Sequence, residues 1–346
     1  MHLLGLTEAG VAAWAQGRGA SGGSSQALAR HLVARMAGRT PAASAGAPPQ
    51  ALLRAASAEL DESLPVADAH EDPDGTVRFA VRLADGALVE TVLIRQAAGA
   101  RRANARTTVC VSSQAGCARG CVFCETGRLG LQRNLTAAEI VAQFALTARH
   151  LAARGEAAPQ NVVFMGMGEP LDNLDEVLQA IAVLRERRGF AVPERRITVS
   201  TVGIVPKMDE LYARTSANLA VSLHAIDQAE RLRLLPVAKR WPLAELRAAI
   251  ARAPRTVLIQ WTLIAGINDR DIDIEALLSF CKDIDVRVNL IPLNPGPRDE
   301  MTAPPLERCR QFQRALLGAG VRTMLRMPHG QSIGGACGQL AGRARS

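Results

Sequence analysis

Three cysteines, Cys117, Cys121 and Cys124, follow a C-x3-C-x2-C pattern, with Phe123 immediately before the third. Gly116, Arg119 and Gly120 mark the stretch as a loop rather than a core element, which argues against three unrelated buried thiols. Thiolates at this spacing can wrap three corners of a four-iron, four-sulfur cube and leave the fourth iron without a protein ligand, open to a small molecule. The alternative is a structural zinc site. Zinc needs four ligands, however, and no nearby His or Cys completes a paired knuckle. Cys110 is close in sequence but lies on an apparent strand, residues 107–112.

Further candidates fall where strands are expected to end. In Gly166-Met167-Gly168-Glu169-Pro170, after residues 161–165, Gly168 allows a ligand to approach the backbone and Glu169 can accept bonds from a cationic amine. Alone, a strand ending in Gly-x-Gly is often just a turn. Ser200 closes the next strand, and Ser222, Leu223 and His224 close the one after, which sets hydroxyls and an imidazole on one rim. An isolated His is more often a hydrogen-bonded core residue. Asn294 can pair with an adenine-like edge or a ribose, or it can be a turn-forming Asn before Pro295.

From residue 107 the pattern is strand, loop, helix, repeated about six times, which argues for parallel strands covered by helices. Strands are expected at 107–112, 161–165, 197–201, 219–223, 257–263 and 286–292, with 322–326 as an extra. Helices are expected at 137–153, 174–187, 243–253, 273–283 and 305–319. The fold class is α/β, a partial or full (βα)6-type barrel in which chemistry gathers in the loops after the strand C-termini. Residues 1–45 read as a small N-terminal helical accessory domain, and 46–74 as a linker with a short helix. Residues 75–106 read as a β-hairpin extension around Asp85-Gly86 followed by a basic loop. The barrel is expected over 107–329 and a tail over 330–346.

The chain has 346 residues, long enough for a large core. No apolar run is long enough to cross a bilayer, and the N-terminus shows no hydrophobic signal core, so no membrane partner and a cytoplasmic setting are expected. Seven cysteines, mostly clustered, suit ligands and reactive thiols in a reducing compartment better than a disulfide framework. The net charge of +8 carries more information, because arginine dominates it and forks onto phosphate oxygens. One Tyr, three Trp and seven Phe leave few platforms for stacking bases, so an RNA partner would be held mainly through phosphates and shape. A basic surface set only by coding bias toward Ala, Arg and Gly is the alternative.

The cysteine spacing resembles the signature of the radical S-adenosylmethionine superfamily. The runs 109–117, 166–171, 222–225 and above all Ala336-Cys337-Gly338-Gln339-Leu340 resemble the RlmN/Cfr family of radical RNA methyltransferases. The resemblance runs from about residue 89 to 340. It implies a partial radical SAM barrel with a small helical accessory domain, a [4Fe-4S] cluster on Cys117, Cys121 and Cys124, and two S-adenosylmethionine molecules per turnover. It also implies methylation of an adenine ring carbon in large-subunit ribosomal RNA, at C2 in RlmN-like members and C8 in Cfr-like ones, with transfer RNA a second substrate of some members. By the same resemblance, Gly168, Glu169, Ser200, Ser222, Leu223, His224 and Asn294 bind S-adenosylmethionine. Cys337 becomes an S-methylcysteine, Cys110 resolves a protein–RNA adduct through a transient disulfide, and Glu90 accepts the ring proton. A flavodoxin or ferredoxin system would donate electrons to a monomer. C2 is favoured; a C8 enzyme, or a paralogue with another RNA target, is the alternative within this class. A zinc-holding, non-catalytic RNA-binding protein is the alternative outside it. The tail departs from the family in having Ser332 at an acidic position and Gly334-Gly335 before the cysteine, which is expected to loosen its approach.

Overall fold

The structure, a computed structural model, describes residues 1–40, 46–96, 105–294 and 301–341. Most of the basic loop expected before residue 107 and the Pro295-Gly296-Pro297 turn lie outside the described residues.

The N-terminal helices α1 (Glu8–Gln16), α2 (Gly22–Met36) and α3 (Gln50–Glu59) enclose their own small core, built on Trp14, Leu28, Leu32 and Leu60. Thr7 and Ser21 cap α1 and α2 by accepting backbone N–H bonds, so the Gly/Ser break that parts these helices also starts the second. A 3-10 turn at Leu3–Gly5 brings this unit against the helices of the main domain.

A single ten-stranded sheet organises the rest. Strands β1 (Val66–Glu71), β2 (Val77–Arg82) and β3 (Leu88–Gln96) form an antiparallel meander that continues into β4 (Arg106–Cys110). The Asp85-Gly86 turn joins β2 and β3 as expected, with Gly86 at φ +85° and the Asp85 carboxylate accepting from Ala87 N–H. Strand β1 lies in the stretch read from sequence as linker and short helix. Its burial is weak and its side chains are mostly polar, so alternation gave no strand signal there.

Parallel pairing starts at β4 and proceeds through β7 (Asn161–Phe164), β8 (Ile197–Thr201), β9 (Asn218–Ser222), β10 (Val257–Leu263), β11 (Val286–Pro292) and β12 (Thr323–Leu325). Sheet order follows chain order, and β1 and β12 are its two edges, so the barrel is partial. Between these strands run α5 (Ala137–Ala152), α6 (Leu174–Leu184), α7 (Val205–Arg214), α8 (Gln228–Leu234), α9 (Leu243–Ala251), α10 (Asp271–Cys281) and α11 (Leu306–Gly318). Helices α7 and α8 were not expected from the sequence, being short and carrying few buried apolar residues. The central strands β10 and β11 are buried on nearly every residue, as strands covered on both faces require.

A two-stranded ribbon, β5 (Gln114–Cys117) with β6 (Gly130–Asn134), stands apart from the large sheet and carries the cysteine loop and the short α4 (Glu125–Arg128). Gly116 sits at φ +78°, and a Cβ there would stand 1.9 Å from the Gly130 carbonyl oxygen, so the ribbon closes only with glycine at this position.

Candidate active site

Cys117, Cys121 and Cys124 line one cleft at the C-terminal ends of the parallel strands. Burial pushes the Cys117 thiol up to about 12, Cys121 well above its ordinary value, and Cys124 upward as well. The nearby guanidinium of Arg119 is already committed to Asp172. Three soft donors held neutral by burial in one cavity fit a soft, multi-centre metal group that would ionise them on binding. Among the described residues, no group of three or more His, Cys, Asp or Glu could hold a metal ion by itself.

The strand ends place the other candidates around the same cleft. Gly168 adopts φ +102°, and a Cβ there would meet Gln114 Cβ at 2.6 Å. This close approach lets Gln114 Oε1 accept the Glu169 N–H at 2.8 Å. Glu169 is buried, accepts from Leu171 N–H at 3.0 Å and Val202 N–H at 2.9 Å, and is pushed up to about 7 by burial. A carboxyl this close to neutrality would be held ionised by an arriving ammonium group. Ser200 and Ser222 line the cleft beside it.

His224 occupies the left-handed region at φ +60°. Its Nδ1 accepts from Thr262 N–H at 2.9 Å, which leaves the proton on Nε2, and burial lowers its pKa to about 3. It is a neutral donor on the cleft wall, fixed edge-on against Phe123 with ring centroids 4.9 Å apart. Leu223 does not line the cleft. It is fully buried, and its N–H donates to the Gln260 carbonyl. Asn294 lines the cleft and engages the tail, donating to Cys337 O at 3.3 Å and accepting from Gln331 Nε2 at 2.8 Å.

The tail returns Cys337 to this cleft across the whole length of the barrel domain. Glu125 N–H donates to Gly338 O at 2.8 Å and Thr126 Oγ1 to Leu340 O at 2.7 Å, which joins the tail to the segment just after the last cysteine of the loop. A second, much smaller space is lined by Cys110, Arg326, Ala336 and again Cys337. Cys337 thus lies on a wall shared by both cavities, with the cysteine loop on one side and Cys110 on the other. Burial pushes the Cys110 thiol up to about 12; the nearby Cys337 adds to the rise and Arg326 opposes it. Cys281 and Cys309 are buried in α10 and α11 and line neither space.

Glu90 lines neither cavity. It is buried in β3, ion-paired to Arg78, and accepts the Ala341 N–H at 2.7 Å. The two glycines expected to loosen the tail do not leave it unheld. The turn between β1 and β2 supplies Asp72, whose Oδ2 accepts from Ser332 N–H at 3.1 Å and from its hydroxyl at 2.5 Å. From the same turn, Asp74 accepts the Gly330 N–H at 3.1 Å and stands 3.1 Å from His329 Nδ1. Sequence reading did not identify this clamp, nor Gln260, Thr262 and Thr126 on the cleft wall. The Asp-x-Asp-Gly turn at 72–75 was the available signal, but it does not reveal what it grips.

The sequence profile of the Radical SAM superfamily matches residues 111–281. A probable RNA methyltransferase of Sorangium cellulosum is 48% identical over 275 residues, which span 79% of this chain and 67% of that one. A dual-specificity RNA methyltransferase RlmN of Syntrophobacter fumaroxidans is 44% identical over 271 residues, 77% of each chain. The crystal structure of a radical SAM methyltransferase from Sphaerobacter thermophilus superposes with a TM-score of 0.89 at 36% identity, covering 99% of this chain and 100% of that one.

Proposed function

Because the chain belongs to the radical SAM superfamily and, within it, to the RlmN-type RNA methyltransferases, we propose that it methylates an adenine ring carbon of RNA, with C2 favoured. The observation that carries this reading is the position of Cys337 between the cysteine-lined cleft and Cys110. Large-subunit ribosomal RNA is the substrate we infer, with transfer RNA as a second one. The setting is cytoplasmic, the chain a monomer, and a flavodoxin or ferredoxin system its electron donor.

An adenine amidine carbon is electron-poor and has no lone pair, so it cannot attack a sulfonium methyl directly. Bound in the cleft, the cluster and S-adenosylmethionine supply a carbon-centred radical by one-electron cleavage of the sulfonium. Cys117, Cys121 and Cys124 hold the cluster. Glu169 accepts from the cofactor's ammonium group, the Ser200 and Ser222 hydroxyls and the Nε2–H of His224 supply polar contacts, and Gly168 permits close backbone approach.

Cys337, as thiolate, first takes a methyl from one cofactor molecule, whose sulfonium leaves as a thioether. The carbon-centred radical would take a hydrogen atom from that methyl and leave as closed-shell deoxyadenosine, and the resulting methylene carbon would add to the ring and tether RNA to Cys337. The tethered radical would return one electron to the cluster, and Glu90 would take the ring proton. The Cys110 thiolate then attacks the Cys337 sulfur; a disulfide forms, the carbon–sulfur electron pair passes to carbon, and a proton completes the methyl group. Glu90 is occupied by Arg78 and the Ala341 N–H in this arrangement, so the end of the tail must shift before Glu90 can act.

The test is an anaerobic assay with methyl-labelled S-adenosylmethionine and total RNA, followed by mass spectrometry of isolated nucleosides. Label in 2-methyladenosine is expected. Label at C8 would transfer the reading to the alternative chemistry. Stoichiometric zinc after reconstitution, with no iron and no label in RNA, would overturn it.

A further inference from the structure

One buried cation has no task in this scheme. Arg231, on α8, is 1% exposed. Its Nη2 donates to the Val202 carbonyl at 2.9 Å, while its Nε and Nη1 find no hydrogen-bond partner among the described residues. Buried N–H groups left bare are destabilising, and more so when charged. Such a site calls for an anionic acceptor that the described polypeptide does not provide.

The surroundings point to the cysteine loop, beside whose cleft Arg231 lies without lining it. Helix α8 is tied to the cysteine loop by Val122 N–H donating to Leu234 O at 3.1 Å, one residue from Cys121. Val202, whose carbonyl Arg231 holds, lines the same cleft as Cys121. The field of the guanidinium reaches both Cys121 and His224, and burial lowers its pKa only to about 10, so it stays charged at neutral pH.

We propose that Arg231 is the counter-ion of the cluster, donating from its free N–H groups to sulfur on the Cys121 side and raising the cluster's reduction potential. The inference rests on reading the three cysteines as cluster ligands. A cube on three thiolates gains one negative charge when an external carrier loses one electron to it, and no bond or proton need move. A fixed cation in a low-dielectric interior stabilises the more negative state more strongly. Arg231 acts through the cluster, not on substrate, and is therefore a positioning residue.

The test compares wild type, R231K and R231Q after anaerobic reconstitution, with iron content measured and reduction followed by EPR-monitored potentiometry. R231Q is expected to keep its iron while its reduction equilibrium constant falls at least tenfold, a shift of about 59 mV or more to negative potential for a one-electron couple. R231K keeps the charge and should stay near wild type. An unchanged potential in R231Q overturns the proposal, as does an equal shift in R231K and R231Q, which loss of the Val202 contact alone would produce. Should R231Q fail to hold iron, magnetic resonance of the reduced wild-type cluster with 15N-labelled arginine decides: a nitrogen coupling supports the contact and its absence overturns it. A wild type that takes up no iron would instead refute the cluster reading itself.

Discussion

His224 shows at the scale of one residue how two readings that compete in a sequence coexist in a fold. Its Nδ1 is satisfied by Thr262 N–H, as in any buried histidine, and the same bond leaves Nε2–H as the donor on the cleft wall. Glu169 makes the charge argument testable. Its rise from 4.5 to about 7 means that the folded chain holds a proton the unfolded chain has lost. Its contribution to stability therefore declines as pH rises from about 4.5 to 7, by roughly 3 kcal/mol in all. A bound ammonium reverses the preference, so affinity for S-adenosylmethionine should climb as pH rises through 7. Calorimetric titration of the reconstituted protein should show this rise, and E169Q should bind weakly with a flat profile. The thiols predict a sharper contrast. Cys110→Ala should accumulate a covalent protein–RNA adduct on denaturing gels, whereas Cys337→Ala should give neither adduct nor methylated base. Normal product yield from Cys110→Ala would rule out its resolving role.

Among the elements, the tail and the β1–β2 turn are the pair that sequence order separates most. Asp72 and Asp74 hold Ser332 and Gly330, while Asn294, Glu125 and Thr126 hold the segment around Cys337. Hydrogen bonds to a charged group contribute about 1.5–3 kcal/mol each. The double variant D72A/D74A should therefore free the tail: limited proteolysis within residues 329–341 should quicken about tenfold or more, and methylation should drop severalfold at unchanged iron content. Equal proteolysis rates would show that the clamp is not what holds Cys337 in place. The hairpin was visible in the sequence from Asp85-Gly86, and the parallel strands from their apolar runs. Strand β1 was not, because an edge strand that buries little need not alternate.

For the whole molecule, a net charge of +8 predicts RNA binding that weakens steeply with salt. Each phosphate contact should contribute about 0.7–0.9 to the slope of log affinity against log salt concentration. Filter binding from low to physiological salt measures this, and a flat response would remove phosphate contacts as the main source of affinity. The open sheet, ending at β1 and β12, leaves the strand C-termini gathered around one cleft, into which a substrate larger than the cofactor must reach.

The sequence by itself determined the chemistry available to this chain: the cysteine triplet, the glycine–glutamate turn, the Ser-Leu-His end of a strand and the cysteine of the tail are local patterns, and each carries its own spacing. Only the tertiary structure decided which of them meet. Cys110 and Cys337 line one space because parallel pairing carries the chain along the sheet and the tail then turns back over it. Glu90 is paired with Arg78 because antiparallel register sets β2 beside β3. Arg231 is bare because burial, invisible along a chain, removed the water that would have satisfied it.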